Sequence, residues 1–278
     1  MTSGRTGVMT GAKIGGDWNS QADLAGGVYV VTGATQGIGA AIARRLAERG
    51  AAGIVVAGRN TARGEAIAAD LAAAGTEPVL VTGDLAEVDT CRRVLAAADR
   101  TFGRLDGLVN AAGVTDRGTL EDTTPELWDR IFAVNTRAPF FLIQDAVRIM
   151  RREGIAGRIV NIVTMSSHGG QPKLVPYSAS KGALAVLTRN LAHGLRRDRI
   201  RVNAINVGWA DTPNEHRVQR AEGRGADWLV RAEAAQPFGR LIKPDDVARL
   251  ALFLLSADSG IMTGAVIDHD QMVIGAYD

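Results

Sequence analysis

From residue 28 onward, short runs of β-branched and aliphatic residues alternate with longer Ala-, Leu- and Arg-rich stretches of helical spacing. The short runs fall at 28–32, 54–57, 79–82, 108–110, 158–163, 201–206 and 265–268. They are continuously apolar rather than alternating apolar with polar, the pattern of parallel strands covered on both faces. The longer stretches, at 40–49, 62–74, 89–102, 125–152, 177–195 and 245–255, predict helices. Gly50 and Gly75 follow two of them, where a left-handed cap is wanted. Pro125 after Thr123 and Thr124, and Pro244 before Asp245 and Asp246, mark helix starts. Strand–helix alternation at this spacing predicts βαβ units with right-handed crossovers, an α/β fold with a doubly wound parallel sheet and helices on both faces. No repeat or linker interrupts it, so residues 26–278 read as one domain. The Gly-, Ser- and Thr-rich leader 1–25 is expected to be mobile.

Composition narrows the class. Of 278 residues, 46% are hydrophobic and 22% charged, which excludes disordered and fibrous proteins. The 32 basic and 30 acidic residues nearly cancel, so neither nucleic acid nor an anionic membrane surface is an expected partner. Arg196-Arg197-Asp198-Arg199 is too short a basic run to change that. No apolar run is long enough for a membrane span, and the leader lacks the apolar core of a signal peptide. The lone Cys91 makes no intrachain disulfide, and a cytoplasmic protein is expected. Four scattered histidines and one cysteine offer no ligand spacing, so no metal site is expected.

The first strand runs into Thr32-Gly33-Ala34-Thr35-Gln36-Gly37-Ile38-Gly39 and then directly into a helix. Glycines there let backbone N–H groups approach a pyrophosphate at the positive end of that helix. The second strand ends Val56-Ala57-Gly58-Arg59-Asn60. A carboxylate at that end binds the ribose hydroxyls of NAD, whereas an arginine pairs with the 2′-phosphate of NADP. Gly58 fills the acidic slot and Arg59 follows, so NADP is favoured with NAD the alternative; the glycine loop adds no second basic residue.

Tyr177-Ser178-Ala179-Ser180-Lys181 opens another helical stretch, placing Tyr177 and Lys181 on one face. An ammonium there, together with the positive charge of a bound nicotinamide, would favour phenolate and bring the phenol below its ordinary value near 10. Such a tyrosine shuttles the proton of an alcohol while a cofactor takes the hydride.

Taken in order, Thr32–Gly39, Asn110-Ala111-Ala112-Gly113, Asn135, the 157–164 strand and Tyr177/Lys181 resemble the short-chain dehydrogenase/reductase family. The resemblance covers residues 26–278. It implies a seven-stranded Rossmann-like sheet and NAD(P)-dependent interconversion of a secondary alcohol and a ketone. It makes Tyr177 the acid/base, Lys181 its partner and a ribose ligand, and Asn135 the holder of a water in the proton relay. It puts Asp84 and Leu85 beside the adenine, and Asn110, Ala111 and Gly113 along the cofactor. Gly208 and Thr212 follow the sixth strand, where Thr212 meets the nicotinamide carboxamide and phosphate. Related proteins are tetramers, and a homotetramer is expected here. Phe140, Phe141 and Leu142 are candidate intersubunit contacts, core packing being the alternative, and residues 274–278 are expected to reach a neighbouring subunit.

The chain departs from the family at the catalytic serine, whose place thirteen residues before Tyr177 is taken by Thr164. Thr164 keeps the hydroxyl that orients a carbonyl, while its β-methyl stiffens the rotamer. Ser166 lies on the same strand face and is the alternative. The family's Pro-Gly after the sixth strand is Val207-Gly208, and its Asp-Gly-Gly near the C-terminus is Asp270-Gln271-Met272. These departures keep open a second reading, a catalytically impaired cofactor-binding sensor or assembly subunit. A sugar-nucleotide epimerase lacks support, since neither the glycine spacing nor a longer substrate domain is present.

The substrate is expected to be a small molecule held by 165–176 and by a mobile lid at 211–238. Candidate contacts are Thr164, Ser166, His168 and Trp209. The charge-rich lid suits a sugar, polyol or oxo acid, with a solvated amphipathic helix as the plainer alternative.

Overall fold

The computed structural model describes residues 24–276; the leader at 1–23 and the last two residues lie outside the described residues. Seven strands form one parallel sheet: β1 (Val28–Thr32), β2 (Gly53–Gly58), β3 (Glu77–Thr82), β4 (Gly107–Asn110), β5 (Arg158–Thr164), β6 (Arg201–Val207) and β7 (Val266–His269). Their spatial order is β3-β2-β1-β4-β5-β6-β7, with every neighbouring pair parallel. The order reverses between β1 and β4, which opens a crevice beyond their C-terminal ends.

The period-two alternation of β-structure divides each strand between two cores. Tyr29, Val31, Ile54 and Val56 pack on one face, under α1 (Gly37–Glu48) and later α9 (Pro244–Leu255). Val30, Val55 and Ala57 pack on the other, against α3 (Val88–Phe102) and α5 (Ala138–Arg152). In α3, Cys91, Val94, Leu95 and Ala98 recur three and four apart, so one stripe of that helix is buried. Helix α2 (Thr61–Ala73) closes the first face with Ile67 and Leu71. Leu24 is also in that core.

The stretch expected as one helix over 125–152 is three pieces. Helix α4 (Pro125–Phe132) starts at Thr124, whose hydroxyl accepts the Leu127 N–H at 3.2 Å. A π-helical turn, Ala133–Arg137, then carries Asn135 before α5 resumes. Such a turn inserts one residue into the hydrogen-bond ladder and re-aims the side chain it holds. Helix α6 (Val175–Leu195) covers the sheet beside β5 and β6.

The lid is two short helices, α7 (Pro213–Ala221) and α8 (Trp228–Ala234). Trp228, Ala232 and Leu241 form their own small core, with Trp209 packed against it. Lys243 ties the base of the lid together, donating to Asp211 at 2.9 Å and to Glu233 at 2.6 Å. Among the described residues, no helix is long and apolar enough to cross a membrane.

Candidate active site

A cleft of about 950 Å³ lies where the strand order reverses. Its floor is backbone. After Thr32 the chain turns sharply at Gly33, whose φ is +65°, and a Cβ there would sit 2.7 Å from the Ala112 nitrogen. Gly39 is as tight, since a Cβ would meet the Gly33 oxygen at 2.6 Å. Helix α1 then begins at Gly37 with no side chain capping its first turn, which leaves its N–H groups directed at the cleft. Glycines that no larger residue could replace, under an uncapped helix start, fit a dinucleotide pyrophosphate.

The rim of the cleft carries side chains rather than backbone. A Cβ at Gly58 would lie 2.5 Å from the Thr35 methyl, so Thr35 fills the space that a carboxylate at 58 would need. Arg59 and Arg63 both line the cleft, and the Arg63 guanidinium bonds the Gln36 amide oxygen. At the adenine end, Asp84 accepts the Ala86 N–H at 2.9 Å and pairs with Arg130 at 2.7 Å. Burial pushes the Asp84 carboxyl up, but that N–H and Arg130 outweigh it and hold it below the usual carboxylate range.

Tyr177 and Lys181 project from α6 one turn apart, and both line the inner end of the cleft with Thr164. Lys181 is 4% exposed and donates to the Ile162 carbonyl at 2.8 Å; burial brings its ammonium down to about 8. Burial raises the Tyr177 phenol, the hydrogen bond with Thr164 and the charge of Arg117 pull it back, and Glu215 raises it again. The net shift from the protein's own groups is upward, whereas the expected lowering included the positive charge of a bound nicotinamide. The physical reason is desolvation of the phenol, the largest cause, which the Thr164 bond and Arg117 do not offset; Lys181 gives its ammonium to the Ile162 carbonyl. The protein's own groups therefore favour the neutral phenol over the phenolate.

Asn135 stands behind this pair, fully buried. Its Oδ1 accepts the Val114 N–H at 2.9 Å, and its Nδ2 donates to the Val114 oxygen and to Ser180 Oγ, each at 3.0 Å. Ser180 Oγ donates in turn to the Tyr177 carbonyl at 2.7 Å. The π-helical turn thus ties the loop after β4 to the helix that carries Tyr177.

Comparison with known proteins fits this geometry. The family described as enoyl-(acyl carrier protein) reductase matches residues 33–271. An uncharacterized oxidoreductase of Methylorubrum extorquens is 37% identical over 88% of this chain and 96% of its own length. The chain belongs to the short-chain dehydrogenase/reductase family. Two solved structures show the same fold. YwfH, an NADPH-dependent reductase involved in bacilysin biosynthesis, is 26% identical with a TM-score of 0.83, covering 90% of this chain and 99% of that one. An actinorhodin polyketide ketoreductase solved with NADPH is 31% identical with a TM-score of 0.80, over 87% and 95%.

In this short-chain dehydrogenase/reductase the cleft gathers most of the residues expected of it. Gly33, Thr35, Gln36, Gly37, Ile38 and Gly39 line one side, with Arg59, Asp84 and Leu85 beyond them. Ala111, Gly113, Gly208, Thr212, Thr164, Tyr177 and Lys181 line the other. Five expected residues lie off the lining, the first being Asn135, which stands behind it. Asn110 is buried in the sheet and donates to Asn161 at 2.9 Å, cross-linking β4 to β5. Ser166 donates to Gln171 at 2.8 Å, inside its own loop. His168 turns to Asp268 at 2.9 Å and to Asn206. Trp209 packs on Trp228 and donates to Glu215 at 2.9 Å. Leu142 is core, Phe140 is partly exposed, and Phe141 packs against the core edge.

Sequence reasoning missed Arg63, Arg117 and Arg130, and placed Glu215 only among the charges of the 211–238 stretch. Arg63 was findable, since it sits four residues after Arg59 in the first turn of α2. Arg130 and Glu215 reach the cleft from helices whose orientation no local pattern carries. Among the described residues no group of acidic, histidine and cysteine side chains could hold a metal ion.

Proposed function

We propose that the protein is an NADP-preferring oxidoreductase that interconverts a ketone and a secondary alcohol. The observation that carries this reading is the half-buried Tyr177 phenol, hydrogen-bonded to the Thr164 hydroxyl at the inner end of a glycine-floored cleft rimmed by Arg59 and Arg63. NADP(H), when bound, supplies or takes the hydride. The glycine loop and α1 would hold its pyrophosphate, Arg59 and Arg63 its 2′-phosphate, and Asp84 its adenine end. Thr164 orients the carbonyl by donating to its oxygen, and Tyr177 delivers the proton to that same oxygen. Lys181 supplies positive charge behind the phenol and Asn135 fixes the helix that carries both. The NADPH-dependent relatives support the cofactor choice.

The mouth of the cleft is lined by Asp116, Asn214, Glu215, Arg217 and Arg220, which supports a polar small-molecule substrate such as a sugar, polyol or oxo acid. A homotetramer is part of the same proposal, with partly exposed Phe140 available for an intersubunit contact; light scattering in solution tests it. Neither the site nor the relatives support the alternative of an impaired sensor.

The experiment is a fluorescence titration with NADPH and with NADH on the wild type, Arg59→Ala and Arg63→Ala. NADPH binds more tightly, and each variant weakens it about tenfold or more, as expected for one charge-assisted contact, while NADH changes little. Equal binding of both cofactors by the wild type refutes the NADP preference. Turnover that survives Tyr177→Phe refutes the proton-transfer role.

A further inference from the structure

The lid contributes one carboxylate to the cleft that its own neighbours do not neutralise. Glu215 is the third residue of α7 and is half-buried, with its N–H given to Thr212 Oγ1 at 3.2 Å. Its Oε1 accepts from Trp209 Nε1 at 2.9 Å and from Gln219 Nε2 at 2.5 Å. Both donors are neutral, and among the described residues Glu215 has no cation within ion-pair distance and Oε2 no protein donor. The nearby cations are engaged elsewhere: Arg117 with Glu222 at 2.8 Å, and Arg217 with the Asn214 amide oxygen at 2.7 Å.

Holding a charge in this way is costly. A carboxylate drawn out of water is ordinarily paired. Gln219 is 3% exposed, and in giving its amide group to Glu215 it leaves its own buried oxygen without a partner. The buried Gln219 and the partly buried Trp209 are thus both committed to one oxygen of a carboxylate that lines a cleft also containing Tyr177 and Thr164.

We propose that Glu215 is a specificity-determining residue that accepts a hydrogen bond from a donor substituent of the substrate, a hydroxyl or an ammonium, carried near the carbonyl served by Tyr177. This inference rests on the ketone–alcohol reading and narrows its substrate class: a fixed carboxylate favours donors and repels an oxo acid's own carboxylate. The groups acting on the phenol from the surrounding elements are Thr164 on β5, Arg117 after β4 and Glu215 on α7; Lys181 lies one turn along α6.

The test uses the full chain and a matched set of ring ketones: cyclohexanone and its hydroxy, amino and carboxy derivatives. Reduction with NADPH is measured on the wild type, Glu215→Gln and Glu215→Ala, and calorimetry follows binding of the corresponding alcohols. The wild type prefers the hydroxy or amino ketone to the parent by about tenfold or more, mainly in KM, and disfavours the carboxy ketone. Glu215→Ala brings these ratios close to one. Glu215→Gln keeps an acceptor, so it retains part of the hydroxy preference, loses the amino preference, and moves the alkaline limb of the pH profile down. A wild-type preference for the carboxy ketone, or ratios unchanged in Glu215→Ala, overturns the proposal. If no ketone is reduced but the donor preference in alcohol binding is present and vanishes in Glu215→Ala, the redox reading fails and the Glu215 assignment stands.

Discussion

Replacing Thr164 with valine removes one hydroxyl while preserving volume and β-branching, so the change isolates what that oxygen does. The hydroxyl has three roles. It accepts the Ser166 N–H at 3.2 Å, capping the turn at Met165–His168; it bonds the Tyr177 phenol; and it faces the cleft where a carbonyl would sit. The first role is a small stability contribution, about 1 kcal/mol by analogy with other hydroxyl caps. The third is larger, because a preorganised donor to a developing oxyanion contributes about a hundredfold to a thousandfold in rate. The second sets the direction of the pH effect: the Thr164 bond pulls the phenol down, so its loss raises Tyr177 further, and the alkaline limb of ketone reduction moves up. Thr164→Val is therefore expected to fold, to bind NADPH with unchanged affinity, and to lose about two orders of magnitude in kcat with the alkaline limb shifted upward. Thr164→Ser is expected to restore most of the rate. The assay is the pH dependence of NADPH consumption with a ketone that the wild type reduces, alongside a cofactor titration. A loss below about fivefold, roughly 1 kcal/mol, refutes the reasoning. A large loss in Ser166→Ala instead transfers the role to Ser166.

Two further expectations concern stability. Burial brings Lys181 down to about 8 from an ordinary 10.5, so between these values the folded chain binds fewer protons than the unfolded one. Stability therefore rises with pH across that window and is flat below it. Lys181→Met removes this rise, and calorimetric Tm values that climb equally in both proteins refute it. Gly33→Ala forces a left-handed φ of +65° on a Cβ that would lie 2.7 Å from the Ala112 nitrogen. It is expected to lower Tm by several degrees and to abolish NADPH binding, the strain alone costing about 1–3 kcal/mol; tight NADPH binding by this variant refutes the cradle.

Much of the scaffold was legible because burial leaves a local trace. The seven strands fall within two residues of their expected ends, since strands covered on both faces must be continuously apolar. The glycine loop and the Tyr177/Lys181 pair were legible for a related reason: each is a short-range pattern set by backbone freedom or helical spacing. The break at 133–137 left no trace, because a π-helical turn keeps helical composition, and only the bonds from Asn135 to Val114 and Ser180 reveal its purpose.

The direction of a loop side chain is a different kind of quantity. His168 was a reasonable substrate contact in a polar loop until β7 brought Asp268, a hundred residues away, to its ring. Trp209 faces a lid core rather than the cleft because α8 supplies Trp228 to pack on it. The upward shift of Tyr177 likewise came from the depth of the cleft and not from the neighbour four residues along the helix. The amino-acid sequence alone determined the doubly wound sheet, the glycine loop and the pairing of Tyr177 with Lys181 on one helix face, because these depend on local periodicity and backbone sterics. Tertiary structure decided which polar groups share the cleft, whether their charges are paired and how dry they are, because those depend on contacts between segments far apart in the chain.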